Sequence, residues 1–204
     1  MTETDNDSSQ SPGPSQKKPS KLGCYLAPVV LFLMALMATF LVQREATEKD
    51  FRQARADILR GIAQPALNAA RDALLRQWQE GANPQRLAAF EDQGGMNDRG
   101  ETFSDSRGLV SYRRLTVRLP DPGSESPDPV TMLDLTILLL RGWDSGETQV
   151  YVLDHGARTK PQAALLQTLR ERLAAAGAKV HERSIPDFEP RKCWDLVQDS
   201  DGRQ

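Results

Sequence analysis

Cysteine and histidine are scarce in this chain, two of each among 204 residues. Metal centres and cofactor attachment sites are assembled from closely spaced Cys, His or acidic ligands. Cys24 and Cys193 are far apart, and neither lies near a second ligand in a metal-binding spacing, so neither a metal nor a cofactor is expected. Lys192 stands next to Cys193, but no local signature of a cysteine nucleophile accompanies it. A phosphate loop is also missing, since no Lys-Ser or Lys-Thr follows Gly94, Gly95 and Gly100 at the required spacing. Positive charge is not in excess: 26 Lys and Arg face 28 Asp and Glu, a net charge of −2. Without a broad basic field, nucleic acid is excluded as an expected partner.

There is one long hydrophobic run, LGCYLAPVVLFLMALMATFLV, residues 22–42, which contains no charged side chain. At about 1.5 Å rise per residue, a helix of this length spans roughly the 30 Å hydrocarbon core of a bilayer. A cleaved signal peptide has an apolar stretch of about 7 to 15 residues closed by a small-x-small site. Here the run ends in Thr39-Phe40-Leu41-Val42, which favours an uncleaved transmembrane anchor with the lipid bilayer as first partner. Lys17, Lys18 and Lys21 precede the run, and Arg44, Lys49, Arg52 and Arg55 follow it. The lysines crowd their edge more tightly, and long C-terminal domains translocate largely regardless of charge. The expected topology is therefore an N-terminus in the cytoplasm and an extracytoplasmic domain, as in a single-pass protein of a bacterial inner membrane.

Around the anchor the chain divides by composition. Residues 1–21, rich in Ser, Pro, Asp and Lys, offer little to bury and read as a disordered polar tail. Residues 43–92 read as a helical stalk or hairpin. Phe51, Ile58 and Ile62 fall on one helical face, and Leu67, Ala70, Leu74 and Trp78 continue the pattern. That stripe has two readings: a surface for a protein partner or for self-association, or a face docked on the chain's own sheet. Gly61 and Pro65 predict a kink or a restart. Asn83-Pro84 suits the start of a short helix, and 93–108, with its glycines, Asp and Ser, reads as an exposed loop.

Residues 109–190 form the expected α/β domain. LVSYRRLTVRLP alternates, with Leu115, Val117 and Leu119 on one face and Tyr112, Arg114, Thr116 and Arg118 on the other. TMLDLTILLLRG is apolar on both faces over its later part, as a central strand is, and ETQVYVLD follows as a third strand. From Val150 the order is strand, helix, strand, a βαβ unit that places two strands parallel. Residues 191–204 remain as a C-terminal tail. The fold class is α+β: one transmembrane helix, a helical stalk, and a small mixed sheet of about four strands ending in βαβ, compatible with a ferredoxin-like arrangement.

Ligands of open α/β sheets gather beyond the carboxyl ends of parallel strands, which directs attention to residues 154–159 and 181–183. Asp154 with His155, and His181 on the neighbouring strand, are the candidate acid–base groups. Arg158 and Thr159, at the start of the following helix, are the candidate anion ligands. The plainer reading of both is a strand-ending turn and an ordinary helix cap. The function expected from this architecture is a non-enzymatic assembly or scaffolding component at the cell envelope. An extracytoplasmic sensor or ligand-binding module comes second, and a membrane-anchored hydrolase third.

Overall fold

The computed structural model describes residues 21–81, 95–120, 129–156, 159–185 and 188–195. The polar tail up to residue 20, the short helix expected at 84–92, the proline-rich link 121–128, Arg158 and the chain beyond residue 195 lie outside the described residues. Two compact units divide the chain, residues 1–43 and 44–204, and helix α1 (Lys21–Arg55) contributes to both.

In the first unit, every helical residue from 27 to 43 is exposed around the whole circumference. Leu31, Met37 and Val42 are each 67% exposed, a state that is unfavourable in water and natural in lipid. Thr39 donates its hydroxyl to the Ala35 carbonyl at 2.9 Å, so this polar group is satisfied within its own helix. Among the described residues there is thus one helix long and apolar enough to cross a membrane, near the N-terminus.

In the second unit, the last turns of α1 pass into a π-helical turn (Ala56–Ala63) and then α2 (Gln64–Gly81) without a break. Pro65 accounts for the widened turn. Its ring would strike the carbonyl of Gly61 four residues earlier, and it has no N–H to donate. The π register moves each bond one residue further, and the Gln64 N–H donates to the Leu59 carbonyl, five residues back. The irregularity expected at Gly61 and Pro65 takes this form.

Among the described residues the sheet has five strands where about four were expected: β1 (Gly95–Ser104), β2 (Gly108–Pro120), β3 (Pro129–Gly142), β4 (Gln149–Asp154) and β5 (Val180–Ser184). They are ordered β1-β2-β3-β4-β5. The first four pair antiparallel, and β4 and β5 pair parallel across helix α3 (Lys160–Ala175), the βαβ unit read from sequence. Because β4 and β5 are direct neighbours, this unit is not split by an intervening strand as in the ferredoxin-like pattern.

The additional strand β1 corrects the reading of 93–108 as a loop. An edge strand with both faces wet has no reason to alternate apolar and polar residues, so its sequence carries turn-like composition. The turn is the short stretch between Ser104 and Gly108, where the Asp105 carboxylate accepts from the N–H groups of Arg107 (2.8 Å) and Gly108 (3.1 Å). Gly108 is required there, because a Cβ would run into the Arg141 carbonyl and the Trp194 ring.

The π-turn, α2 and α3 cover one face of the sheet. Their buried Ile58, Leu67, Trp78 and Leu169 join Leu115, Val117, Leu135 and Ile137 in the main core. The Trp78 indole N–H donates to the Pro120 carbonyl (2.9 Å), and Arg55 Nε to Ser111 Oγ (3.0 Å), which tie the helices to β2. On the apolar stripe, Phe51 is 1% and Ile58 9% exposed within the chain's own core, with Ile62 packed against it. Of the two readings of the stripe, these contacts support docking on the chain's own sheet, which needs that face for cover, with Ile62 only partly buried. The opposite face carries a smaller cluster of Val110, Leu138, Leu140, Tyr151 and Leu153, closed by Cys193 and Trp194 of the C-terminal segment.

Candidate functional site: an open strand edge and a locked histidine

β4 ends at Asp154, so His155 lies just past the strand, on the face opposite the helices. Its Nδ1 lies 2.7 Å from the Ile185 carbonyl and its Nε2 2.8 Å from Thr136 Oγ1. A carbonyl only accepts, so the ring proton is on Nδ1 and Nε2 accepts the threonine hydroxyl. Burial disfavours the charged ring more than the Ile185 carbonyl favours it, and the His155 pKa lies below its usual value. Hydroxyl, imidazole and acceptor stand in the order of a nucleophilic triad, but Thr136 is fully buried, so its hydroxyl has no access to a substrate. The arrangement holds the ring neutral and fixes β3, β4 and the segment after β5 together.

Asp154 also works for the fold. Its Oδ1 accepts from the Gly156 N–H (2.8 Å) and from the Gln162 amide (2.6 Å), and Gln162 Oε1 in turn accepts the backbone N–H of Asp134 (2.9 Å). Thr159 caps α3, its hydroxyl accepting from the Gln162 N–H and donating to the Met132 carbonyl at 2.6 Å. Anchored in this way, Asp154 and Thr159 serve as turn and cap. His181 is not brought to His155: it stacks on Tyr151 with ring centroids 4.8 Å apart. Among the described residues, no three His, Cys, Asp or Glu side chains converge as metal ligands would. Cys193 is buried, and its thiol is pushed up to about 11 by desolvation first and the Asp105 charge second.

Sequence reading missed a polar ladder on the same open face. Asp134, 8% exposed in the middle of β3, accepts a fork from Arg114 (Nε to Oδ1 3.0 Å, Nη2 to Oδ2 2.9 Å) and the Thr116 hydroxyl (3.0 Å). A lone carboxylate inside the apolar run TMLDLTILLL was the available signal, because a buried charge demands a partner. Beside the ladder, the Tyr112 pKa is raised, by burial first and then by Glu101.

Arg99 and Glu101 lie on β1, opposite Arg114 and Tyr112 in the register. β1 is the outer strand of the sheet, ten residues long, and pairs on one side only. Residues 96–102 and 104 are exposed, with Phe103 half-buried. In an antiparallel ladder about half of an edge strand's N–H and C=O groups point away from its neighbour, so β1 presents an open row of donors and acceptors. Among the described residues no other strand takes that row. The other edge, β5, has five residues and offers a much shorter template.

Among the described residues, the fold and this edge define an α+β protein with one helix long and apolar enough to cross a membrane and a long strand edge that no other strand takes. No family model, curated protein or solved structure matches the chain.

Proposed function

We propose that the chain is a single-pass protein of the cell envelope. Its α+β domain acts outside the cytoplasm as a non-enzymatic assembly component, joining a second copy through β1. The supporting observation is the ten-residue free edge together with its charge pattern. Two copies related by a two-fold axis perpendicular to the sheet would pair β1 antiparallel. With Gly100 on the axis, Arg99 of each copy stands opposite Glu101 of the other. Shifting the register by two residues sets Arg99 against Arg99 in one direction and Glu101 against Glu101 in the other, so charge selects one alignment. Gly100 answers to its own sheet, where a Cβ would crowd Arg113 Cδ at 2.9 Å and the Tyr112 carbonyl at 3.0 Å. Tethering both copies in one membrane raises their effective concentration, which lets a modest interface suffice. The hydrolase reading has less support, since the Thr136 hydroxyl beside His155 is buried.

The test is energy transfer between two differently labelled full-length copies reconstituted in lipid vesicles. Arg99→Glu or Glu101→Arg alone turns two attractive pairs into two repulsive ones and is expected to weaken association about tenfold, each cross-strand pair contributing ~0.2–1 kcal/mol. The double exchange Arg99→Glu with Glu101→Arg restores both pairs and the association. Single variants that associate like the wild type, or a double variant no better than either single, would remove the β1 interface.

A further inference from the structure

The uncharged run ends at Val42, and Arg44, two residues on, opens the second unit. α1 is one helix across that point. Cover then arrives quickly: Thr47 and Glu48 are half-buried, and Phe51 belongs to the main core. At about 1.5 Å rise per residue, Thr47 stands only ~7.5 Å along the helix from Val42. The headgroup layer on either side of the ~30 Å hydrocarbon core is itself ~5–7.5 Å deep. The domain therefore begins where the headgroups do, with no spacer to lift it clear.

One side chain at this level stands apart from its surroundings. Between β3 and β4 the chain turns through Trp143, Asp144, Ser145, Gly146 and Glu147, where an aromatic residue is out of place in a polar loop. The Arg44 guanidinium lies over the Trp143 ring, 4.5 Å from its centroid. Both residues belong to the second unit, and Arg44 is covalently tied to the end of the apolar run. Trp143 is thus held beside the bilayer edge whatever angle the anchor takes. Its indole N–H donates to the Asp105 carbonyl at 3.0 Å, so the ring's polar group is satisfied inside the domain. Trp78 and Trp194 are 4% and 8% exposed, which leaves half-buried Trp143 as the one of three tryptophans that presents surface.

Charge around the turn narrows what that surface meets. Arg44 and Arg107 stand among Asp105, Asp144 and Glu147, and Arg107 pairs with Asp195 and Lys179 with Glu147. Recognition of anionic lipid needs an excess of Lys and Arg, and there is none here. Tryptophan instead favours the boundary between headgroups and acyl chains irrespective of lipid charge, and arginine can lay its stem there with its head in the polar layer. Resting on the single-pass reading above, we propose that the β3–β4 turn docks the domain on the bilayer that holds its anchor. The Trp143 ring and the Arg44 stem enter the headgroup layer, and the ring, not charge, provides the recognition.

The test uses full-length protein in phosphatidylcholine vesicles whose lipids carry a nitroxide near the top of the acyl chains, a short-range quencher of indole emission. Wild-type emission is expected to fall relative to unlabelled vesicles. In Trp143→Phe, where only the buried Trp78 and Trp194 emit, the quenched fraction should shrink several-fold while the far-UV circular dichroism stays unchanged. A second reporter is a nitrobenzoxadiazole dye on Asp144→Cys in a Cys24→Ser background; this exposed turn position should also be quenched, and it decides the matter if Trp143→Phe loses its fold. Equal quenching in wild type and a folded Trp143→Phe, or a dye that the nitroxide does not reach, overturns the docking surface. Quenching that appears only when anionic lipid is added overturns the assignment to the ring. Flotation of the same samples reports the anchor separately: protein that floats unquenched loses the docking surface alone, and protein that does not float loses the anchor with it. Neither reporter lies on β1, so these readings are independent of strand pairing.

Discussion

Along β3, alternate side chains enter two different environments. Leu133, Leu135, Ile137 and Leu139 face the helices, while Asp134, Thr136, Leu138 and Leu140 face the open side, yet all eight are at most 8% exposed. The leucines under the helices need only cover, and three helical elements provide it. The polar pair on the other side needs named partners: Asp134 takes three side-chain hydrogen bonds from Arg114 and Thr116, and Thr136 takes His155. One face therefore supplies most of the stability, and the other fixes which residues meet.

If that division holds, truncation on the helix face has the largest effect. Leu135→Ala leaves a cavity in a fully buried position and is expected to destabilise the domain by ~2–5 kcal/mol, read from denaturant unfolding of the detergent-solubilised chain. A loss below 1 kcal/mol would break the comparison. Asp134→Ala comes next, at ~1–3 kcal/mol, because the Arg114 fork and the Thr116 hydroxyl lose their acceptor. Adding Arg114→Met to Asp134→Ala should recover part of that loss, since the stranded charge goes with it. Strictly additive effects would mean that the pair is not coupled.

The two faces were unequally legible in the sequence. Leu115, Val117 and Leu119 announced the helix-covered side by alternation, and Gly177 marked the end of α3: its φ of 78° is one that favours glycine. The Thr159 cap and the βαβ unit were legible for the same reason, being local rules met by local residues. β1 was not, because a strand wet on both faces has no periodic signal, and its pairing with β2 is fixed by register rather than by composition. The destination of the Phe51–Ile58–Ile62 stripe was equally hidden: periodicity shows that a face will be buried and leaves open against what. At the candidate sites, chemistry-bearing letters were legible but their partners were not. His155 and Asp154 drew attention as an acid–base pair, and in the fold their side chains are engaged by Thr136, Ile185, Gly156 and Gln162, partners that no local pattern announces.

The smallest expected effect lies on the open face and depends on pH. His155 is held neutral by burial, so its folded-state pKa is below the ordinary value of 6.5 that the unfolded chain regains. Above that value both states carry a neutral ring, and His155 makes no pH-dependent contribution. As pH falls through 6.5 the unfolded state takes up the proton first, which draws the equilibrium toward unfolding, and the loss grows until the folded-state pKa is reached. Stability should therefore decline more between pH 7.5 and 5.5 in the wild type than in His155→Gln, where the titrating ring is gone. The comparison within one pair of proteins cancels the carboxylates that titrate in the same window. A wild type and variant with parallel pH profiles would mean that His155 is solvated enough to charge in place. The open face would then be wetter than its burial implies, and the contrast with the helix-covered side correspondingly sharper.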